Sequence, residues 1–307
     1  MPNTSSYTVS KDQLIYAMSS ANAAVLEVAS GSTVVFETCD CFEDQIQSAD
    51  AVYDGLDWSR INPATGPVYV TDAEPGDVLA LRIDQIALAG QAVMLTGPKL
   101  GVAGDRLKAA KIRVIPIADG FAILPDGIRI PLNPMIGVIG TAPAGAAISC
   151  GTPDAHGGNM DCKIITEGTT LYLPVNVPGG LLALGDLHAA MGDGEVSVCG
   201  MEIAGEVTLR ITLIKAQDLP SGLPTPMAQT AAAFYTIASA KLLDDAANMA
   251  ANQMVDFICA QTTMSIDDAV NLLSVAGNLQ ICQVVDPLKT CRYELPKTVA
   301  NQLGLKL

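Results

Sequence analysis

Residues 195–213 read EVSVCGMEIAGEVTLRITL, and their apolar and polar side chains alternate with a period close to two. This period is typical of β-strands that bury one face. The apolar face consists of Cys199, Met201, Ile203, Val207, Leu209, Ile211 and Leu213. Glu202 and Glu206 lie on the opposite face, where they either meet solvent or line a cavity. The stretch therefore predicts sheet structure with two acids on the side away from the core.

The segments that precede this stretch predict further short strands. Apolar segments within residues 12–37, 62–86 and 111–150 are separated by Gly, Pro and Asp-Gly turn signals. Short strands joined by tight turns are typical of a β-sandwich or a β-barrel.

The C-terminal part of the chain predicts helices. Residues 227–260 are rich in Ala, Leu, Met and Gln and contain no Gly or Pro, which favours one long helix. Ser265 is expected to begin a second helix that ends near Gly277. Residues 279–286, LQICQVVD, are expected to form a strand that stops at Pro287.

A chain of 307 residues can bury a large core. We expect a mainly β region over residues 1–220 that carries the polar site. An α/β portion of the form helix–helix–strand is expected over residues 221–307, packed against it.

Charge and composition exclude several classes of protein. The net charge of −15 argues against binding to nucleic acid or to an anionic membrane surface, because both need clustered Lys and Arg. No apolar run approaches the roughly 18 to 20 residues of a membrane helix. The N-terminal segment MPNTSSYTVSKDQL lacks the pattern of a signal peptide, so we expect a cytoplasmic protein. The eight cysteines form no paired CxxC pattern, and in a reducing cytosol we expect buried thiols.

Residues 152–206 concentrate the ionisable side chains that carry chemistry. Both histidines of the chain lie here, with eight acids and one basic residue, Lys163. The acids are Asp154, Asp161, Glu167, Asp186, Asp193, Glu195, Glu202 and Glu206. Crowded carboxylates are costly unless they are hydrated, protonated or bound to a cation. Oxygen and imidazole donors together favour a divalent metal ion.

The spacing within this region brings candidate ligands together. Asp186 and His188 are two residues apart, so both reach the same side of an extended segment. His156 and Asp161 flank the turn HGGNMD, in which Asn159 can bind an amide or a carboxylate. Cys162 is the alternative candidate, as the nucleophile of a thiol-dependent enzyme, although a buried structural thiol explains it better.

Several longer motifs resemble the acetamidase/formamidase family. They are FETCDCFEDQI at 36–46, NPATGPVYV at 62–70, EPGDVL at 74–79, HGGNMD at 156–161, GDLHAAMGDGE at 185–195 and CQVVDPLKTCRYELPK at 282–297. The resemblance covers nearly the whole chain. It implies hydrolysis of short linear amides to a carboxylate and ammonia, a jelly-roll-like β-sandwich with a C-terminal α/β portion, and a homo-oligomer. It also implies a bound divalent metal, with zinc as the first choice and calcium as the second.

The resemblance also suggests site residues. The positions that match polar motif positions of the family are Asp40, His156, Asn159, Asp161, Asp186, His188, Asp193, Glu195 and Glu202. Met191 stands where some members carry Gln, so one polar substrate contact is expected to be absent.

On this basis we assign roles as hypotheses. The metal ligands would be Asp40, Asp161, Asp186 and His188, and the catalytic side chains would be Glu202, Glu195 and His156. Asn159 and Asp193 would bind the amide substrate. The non-catalytic alternative is a β-sandwich binding module stabilised by calcium, but calcium sites rarely use histidine.

Overall fold

The computed structural model describes residues 6–307. The prediction that the N-terminal segment is not a signal peptide concerns residues 1–5 in part, and these residues lie outside the described ones. Within the described part, no helix is long and apolar enough to cross a membrane.

Strands make up 39% and helices 16% of the described residues, which confirms the predicted mainly β class. In chain order the described strands are β1 Ser6–Val9, β2 Leu14–Ile15, β3 Ala17–Met18, β4 Leu26–Val28, β5 Thr33–Thr38, β6 Ala64–Val70, β7 Val78–Leu88, β8 Gln91–Thr96, β9 Lys111–Ala118, β10 Phe121–Ile123, β11 Arg129–Pro131, β12 Met135–Gly140, β13 Ile148–Ser149, β14 Gly157–Asn159, β15 Thr170–Pro174, β16 Leu182–His188, β17 Glu202–Ile203, β18 Gly205–Ile214, β19 Met227–Gln229, β20 Ala233–Ala240, β21 Asn278–Gln283 and β22 Lys289–Pro296. The α-helices are α1 Leu243–Gln261, α2 Ile266–Ala276 and α3 Lys297–Ala300.

Two large sheets enclose the main core. The first has nine strands in the order β1-β5-β18-β7-β15-β19-β20-β22-β21. The second has eleven strands: a path β11-β10-β9-β8-β17-β16-β12-β14, with β6 paired to β16, β2 and β4. Phe36, Leu81 and Leu209 from the first sheet share one buried cluster with Ile136 and Leu184 from the second. This packing of sheet on sheet agrees with the predicted sandwich.

Residues 195–213, in which apolar and polar side chains alternate, contribute a strand to each of the two sheets. The first part forms β17, which pairs with β16 in the second sheet, and the second part forms β18 in the first sheet. The predicted apolar face is buried in both, as at Ile203 and Val207. Glu206 is exposed, whereas Glu202 is 1% exposed. The change of sheet between β17 and β18 therefore gives the two acids different surroundings.

The predicted helix over residues 227–260 is wrong in its first half. Residues 227–240 form β19 and β20, which extend the nine-stranded sheet, and the helix begins only at Leu243. β20 is paired along its whole length with β22 and buries Phe234 and Ile237. Tertiary pairing thus overrides the helix propensity of an alanine-rich segment.

The predicted second helix is confirmed, whereas the strand predicted over residues 279–286 ends at Gln283. Ser265 caps α2, since its side chain accepts a hydrogen bond from the backbone N–H of Asp268, and Gly277 follows the last turn. α1 and α2 pack on the outer face of the nine-stranded sheet, where Phe257 and Leu273 join Ala80 of β7 in a second buried cluster. The boundary between residues 1–220 and 221–307 stays a proposal, with one sheet continuing across it.

Candidate functional site

Strands β16 and β17 place the central pair of the site. His188 at the end of β16 lies directly opposite Glu202 of β17, and the two side chains approach to 3.2 Å between Nε2 and Oε2. Asp186 precedes His188 in the same strand, and Asp161 follows β14. Strand pairing between distant segments thus brings these side chains together.

Three acids of the site have a left-handed backbone. The φ angles are 42° at Asp161, 55° at Asp186 and 44° at Glu195. Residues other than glycine adopt this conformation at a cost, and such residues cluster at functional sites. At Asp186 the positive φ interrupts the regular pleat of β16, and the carboxylate still reaches the side chain of His188.

Four carboxylates surround one imidazole. The Nε2 atom of His188 lies 3.6 Å from Oδ1 of Asp186, 3.8 Å from Oδ1 of Asp161 and 4.0 Å from Oε1 of Glu195, in addition to the contact with Glu202. All five side chains are between 1% and 7% exposed. Among residues 6–307, no Lys or Arg forms an ion pair with these acids. The negative charge is therefore compensated by His188 alone among these contacts.

Burial shifts the protonation of the cluster strongly. Burial raises the pKa of Asp161, Glu195 and Asp286 well above the usual carboxyl value, and neighbouring carboxylates add to the rise. Burial also raises the pKa of Glu202 to about 8, against the opposing effect of His188. Burial alone would lower the pKa of His188, but attraction to Glu202 and Asp186 outweighs it and raises that pKa well above 6.5.

Several atoms of the cluster lack hydrogen-bond partners. They are Oδ1 of Asp161, Oδ1 of Asp186, Nδ1 of His188, Oε2 of Glu195, Oε2 of Glu202 and Oδ1 of Asn159. Buried polar atoms normally have a partner, so this concentration marks a place for a bound group. Carboxylate oxygen and imidazole nitrogen are the donor types that a divalent cation takes.

The donor atoms are close enough for an ion. Four overlapping groups have candidate ligand atoms that all lie within 4.8 Å of one another. They are Asp161–Asp186–His188, His188–Glu195–Glu202, Asp161–Glu195–Asp286 and Cys41–Asp186–Glu202. The donor set therefore fits a metal ion.

A cavity of about 330 Å³ ends at this cluster. Its acidic lining consists of Asp161, Asp186, Glu195, Glu202 and Asp286, and its uncharged polar lining includes Tyr16, Ser59, Asn62, Ser149 and Asn159. Its other walls include Phe42, Trp58, Ile61, Leu95, Leu100 and Val198. A small molecule with one polar group and an apolar remainder matches this division.

Asn159 lines the cavity beside Asp286, an acid that is not among the site residues predicted from the sequence. Its Nδ2 donates to Oδ2 of Asp286 over 3.0 Å. Asp286 lies in the connection between β21 and β22 and joins Asp161 and Glu195 in one of the four groups. The signal that could have identified it is the acid that ends the apolar segment QVVD.

Asp40 lies outside the four groups of candidate ligands. Its Oδ1 accepts hydrogen bonds from the backbone N–H of Phe42 and of Asp44, both over 2.9 Å. Burial raises its pKa to about 6. The carboxylate thus organises the turn that follows β5.

His156 and Asp193 also occupy surroundings that differ from the acid cluster. His156 is 3% exposed, both of its ring nitrogens lack partners, and burial lowers its pKa to about 4. Asp193 forms ion pairs with Arg292 at 2.8 Å and Lys163 at 2.9 Å. Neither residue is among the side chains that line the cavity.

Cys162 is fully buried and does not line the cavity either. Burial would raise the pKa of its thiol, but the contacts with Cys282 and Arg292 outweigh burial and lower it to about 7. A nucleophile must reach its substrate, so this geometry gives no support to a thiol mechanism.

Fold and site together define a mainly β protein with a buried carboxylate–imidazole centre of the kind that binds divalent cations. The sequence profile of the Acetamidase/Formamidase family matches residues 20–150 and 144–299. The chain belongs to this family, which confirms the resemblance seen in its motifs.

Known proteins resemble the chain over different lengths. The structure of an acetamidase from Bacillus halodurans is 47% identical, with a TM-score of 0.94, and the match covers 97% of this chain and 99% of that one. A curated relative from Schizosaccharomyces pombe is 30% identical over 267 residues, which span 64% of this chain and 64% of the relative. The formamidase of Methylophilus methylotrophus is 44% identical over 78 residues, or 25% of this chain and 19% of its own length. The chain therefore spans less than two thirds of the length of these curated relatives.

Proposed function

We propose that the protein is a metal-dependent amidohydrolase that cleaves short linear amides of the formamide and acetamide class to a carboxylate and ammonia. Family membership supports this reaction, as do the names acetamidase and formamidase carried by its relatives. The observation that carries the proposal is the group of unpartnered, buried carboxylates around His188, next to the cavity.

The proposed ligands are Asp161, Asp186 and His188, whose donor atoms form one compact group. A mixed oxygen and nitrogen donor set suits zinc first and calcium second. When bound, a divalent ion would polarise the amide carbonyl and lower the pKa of water toward about 7. We leave Asp40 out of this set because two backbone N–H groups already occupy one of its oxygens.

Glu202 is the proposed general base. It lines the cavity, and its Oε2, which lies 3.2 Å from Nε2 of His188, forms no hydrogen bond. A base in this position takes a proton from water during attack and returns it to the departing ammonia. Glu195 approaches the same Nε2 atom of His188 to 4.0 Å and would stabilise the positive charge of the leaving group.

Asn159 is the proposed substrate-binding residue. Its donation to Asp286 leaves its Oδ1 free inside the cavity, where it can accept a hydrogen bond from the substrate NH₂ group. This contact would orient the amide with its carbonyl toward the acids and its acyl chain toward Trp58 and Leu100. A substrate held in this way reacts with less loss of entropy.

Ammonia release tests the proposal directly. Protein stripped by prolonged chelation should lose activity toward formamide, acetamide and longer linear amides, and Zn²⁺ should restore it. Cys162→Ser is the matched control and should keep nearly full turnover, since its thiol lies outside the cavity. Full activity in verified metal-free protein would refute the metal-dependent mechanism. Metal binding without hydrolysis of any amide would favour the calcium-stabilised binding module.

We also propose that the protein forms a homo-oligomer in solution. Support comes from exposed apolar side chains on α2 and on β21, the edge strand of the nine-stranded sheet. They are Ile266, Val270, Val275, Leu279 and Ile281. Light scattering after size exclusion should give a mass above one chain, and Leu279→Glu should lower it if this face is the interface. A cytoplasmic location stays a prediction.

A further inference from the structure

We propose that Asp193 and Arg292 are positioning residues: their ion pair holds the three chain segments that carry Asp161, Glu195 and Asp286. This inference rests on the proposed function, because the two residues are proposed to position acids of the same site.

The pair is well formed, with a buried arginine and an aspartate whose side chain is 32% exposed. Nη1 and Nη2 of Arg292 donate to the two carboxylate oxygens of Asp193, each over 2.8 Å. Arg292 is 1% exposed, and its Nε donates to Oε1 of Gln280 over 2.6 Å. A guanidinium with paired acceptors on two sides has a fixed orientation, and it thereby fixes its partners.

Asp193 joins two of the acid-bearing segments. It lies two residues before Glu195 in the turn GDGE, so its position sets the path of that turn. Its Oδ2 also binds Nζ of Lys163 over 2.9 Å, and Lys163 lies two residues after Asp161. One carboxylate thus ties the segment of Asp161 to the segment of Glu195.

The third segment, which carries Asp286, is connected to the turn of Asp193 through backbone hydrogen bonds. Gly194 donates to the carbonyl of Cys282 over 2.9 Å and accepts from Val284 over 3.3 Å, so the turn extends the end of β21. Gln283 is fully buried, and its Oε1 accepts from the N–H groups of Val285 and Asp286 over 2.9 and 3.0 Å. The loop that carries Asp286 is therefore held next to the turn that carries Glu195.

These connections hold together acids that come from different parts of the chain. Asp161, Glu195 and Asp286 come from three separate parts of the chain, yet their donor atoms lie within 4.8 Å of one another. Mutual repulsion would separate ionised acids, so rigid supports are needed to keep them together. Partners behind the ligands commonly change metal affinity or activity by about 10- to 100-fold when they are removed.

The test compares this pair with the ion pair of Lys215 and Asp77, which includes no residue of the site. Arg292→Lys keeps the charge but loses the two parallel hydrogen bonds. The double variant Asp193→Asn with Arg292→Met removes both charges, so that neither is left buried alone. Lys215→Met is the control, since Lys215 binds the 4% exposed Asp77 over 2.5 Å. Zn²⁺ affinity is measured on stripped full-length protein by competition with a chromophoric chelator, alongside thermal midpoint, kcat and KM for acetamide.

We expect Zn²⁺ affinity to fall about 10- to 100-fold in the double variant and less in Arg292→Lys. We also expect kcat at saturating Zn²⁺ to fall while KM stays within about twofold, because neither residue lines the cavity. The control should lower the thermal midpoint and leave Zn²⁺ affinity unchanged. Equal Zn²⁺ affinities in the double variant and the control would overturn the proposal.

A fallback variant and a measurement on the wild type separate failure of the positioning role from failure of the proposed function. If the double variant does not fold, Lys163→Met carries the test, because its side chain is 32% exposed and its removal leaves Arg292 paired. A smaller fall in Zn²⁺ affinity is then expected, and no fall would refute the positioning role. A wild-type protein that binds no Zn²⁺ and hydrolyses no amide refutes the proposed function itself.

Discussion

Replacing Gly137 with Ala should disable the site while leaving the backbone conformation acceptable. A Cβ atom at this position would lie 2.6 Å from Oδ1 of Asp161 and 2.6 Å from Oδ2 of Asp186. It would also lie 2.8 Å from the backbone oxygen of Asp186, whose neighbours Gly185 and Leu187 both pair with β12. An ordinary contact begins near 3.4 Å, so each carboxylate oxygen must move by about 0.8 Å.

Moving these two carboxylate oxygens should lower both the catalytic rate and the free energy of unfolding. A misplacement of about 1 Å among reacting groups can cost roughly 100-fold in rate, so we expect kcat for acetamide to fall about 100-fold. Inserting a methyl group into a packed interior costs about 1 to 3 kcal/mol of unfolding free energy. Metal content should fall as well, since both displaced oxygens belong to proposed ligands.

A matched substitution separates this effect from a general cost of Gly→Ala. Gly145→Ala adds the same methyl group where nothing lies within 4 Å, so its turnover and thermal midpoint should match wild type. Ammonia release, elemental analysis and thermal unfolding are measured on the same preparations. If Gly137→Ala keeps its metal and its turnover within threefold of wild type, the proposed site is not where amides react.

The remaining predictions concern the two histidines. His188→Ala removes the imidazole that contacts four acids, so the metal content and the turnover should fall together. A variant that loses turnover but keeps its full metal content would show that His188 carries protons and does not bind the metal. The pKa of His156 is about 4 in the fold and 6.5 unfolded, so the unfolded state binds more protons between these values and stability must fall as pH decreases. The expected loss in unfolding free energy from pH 7 to pH 5 is about 2 kcal/mol from this residue. Urea unfolding of wild type and His156→Gln at both pH values checks this, and equal pH dependence in the two proteins would contradict it.

The mainly β class and most strand positions were predictable because they follow from local patterns. The alternation in residues 195–213 and the turn signals between apolar segments reflect the two-residue period of a pleated strand. The cap at Ser265 and the stop at Gly277 depend only on neighbouring backbone groups. Residues 227–240 were not recognised as strands because β19 pairs with β15 and β20 pairs with β22, whose residues lie 49 to 63 positions away in the sequence.

The kinds of residue that form the candidate site could be predicted from the sequence, but only some of the individual residues could. The crowding of acids and both histidines into residues 152–206, and the common reach of Asp186 and His188, are visible in the sequence. The burial of Glu202 beside an exposed Glu206, the place of Asp286 in the cluster and the pairing of Asp193 with Arg292 are visible only in the folded chain. Burial and charge partners depend on chain segments that are far apart in sequence, and no local period shows which segments meet.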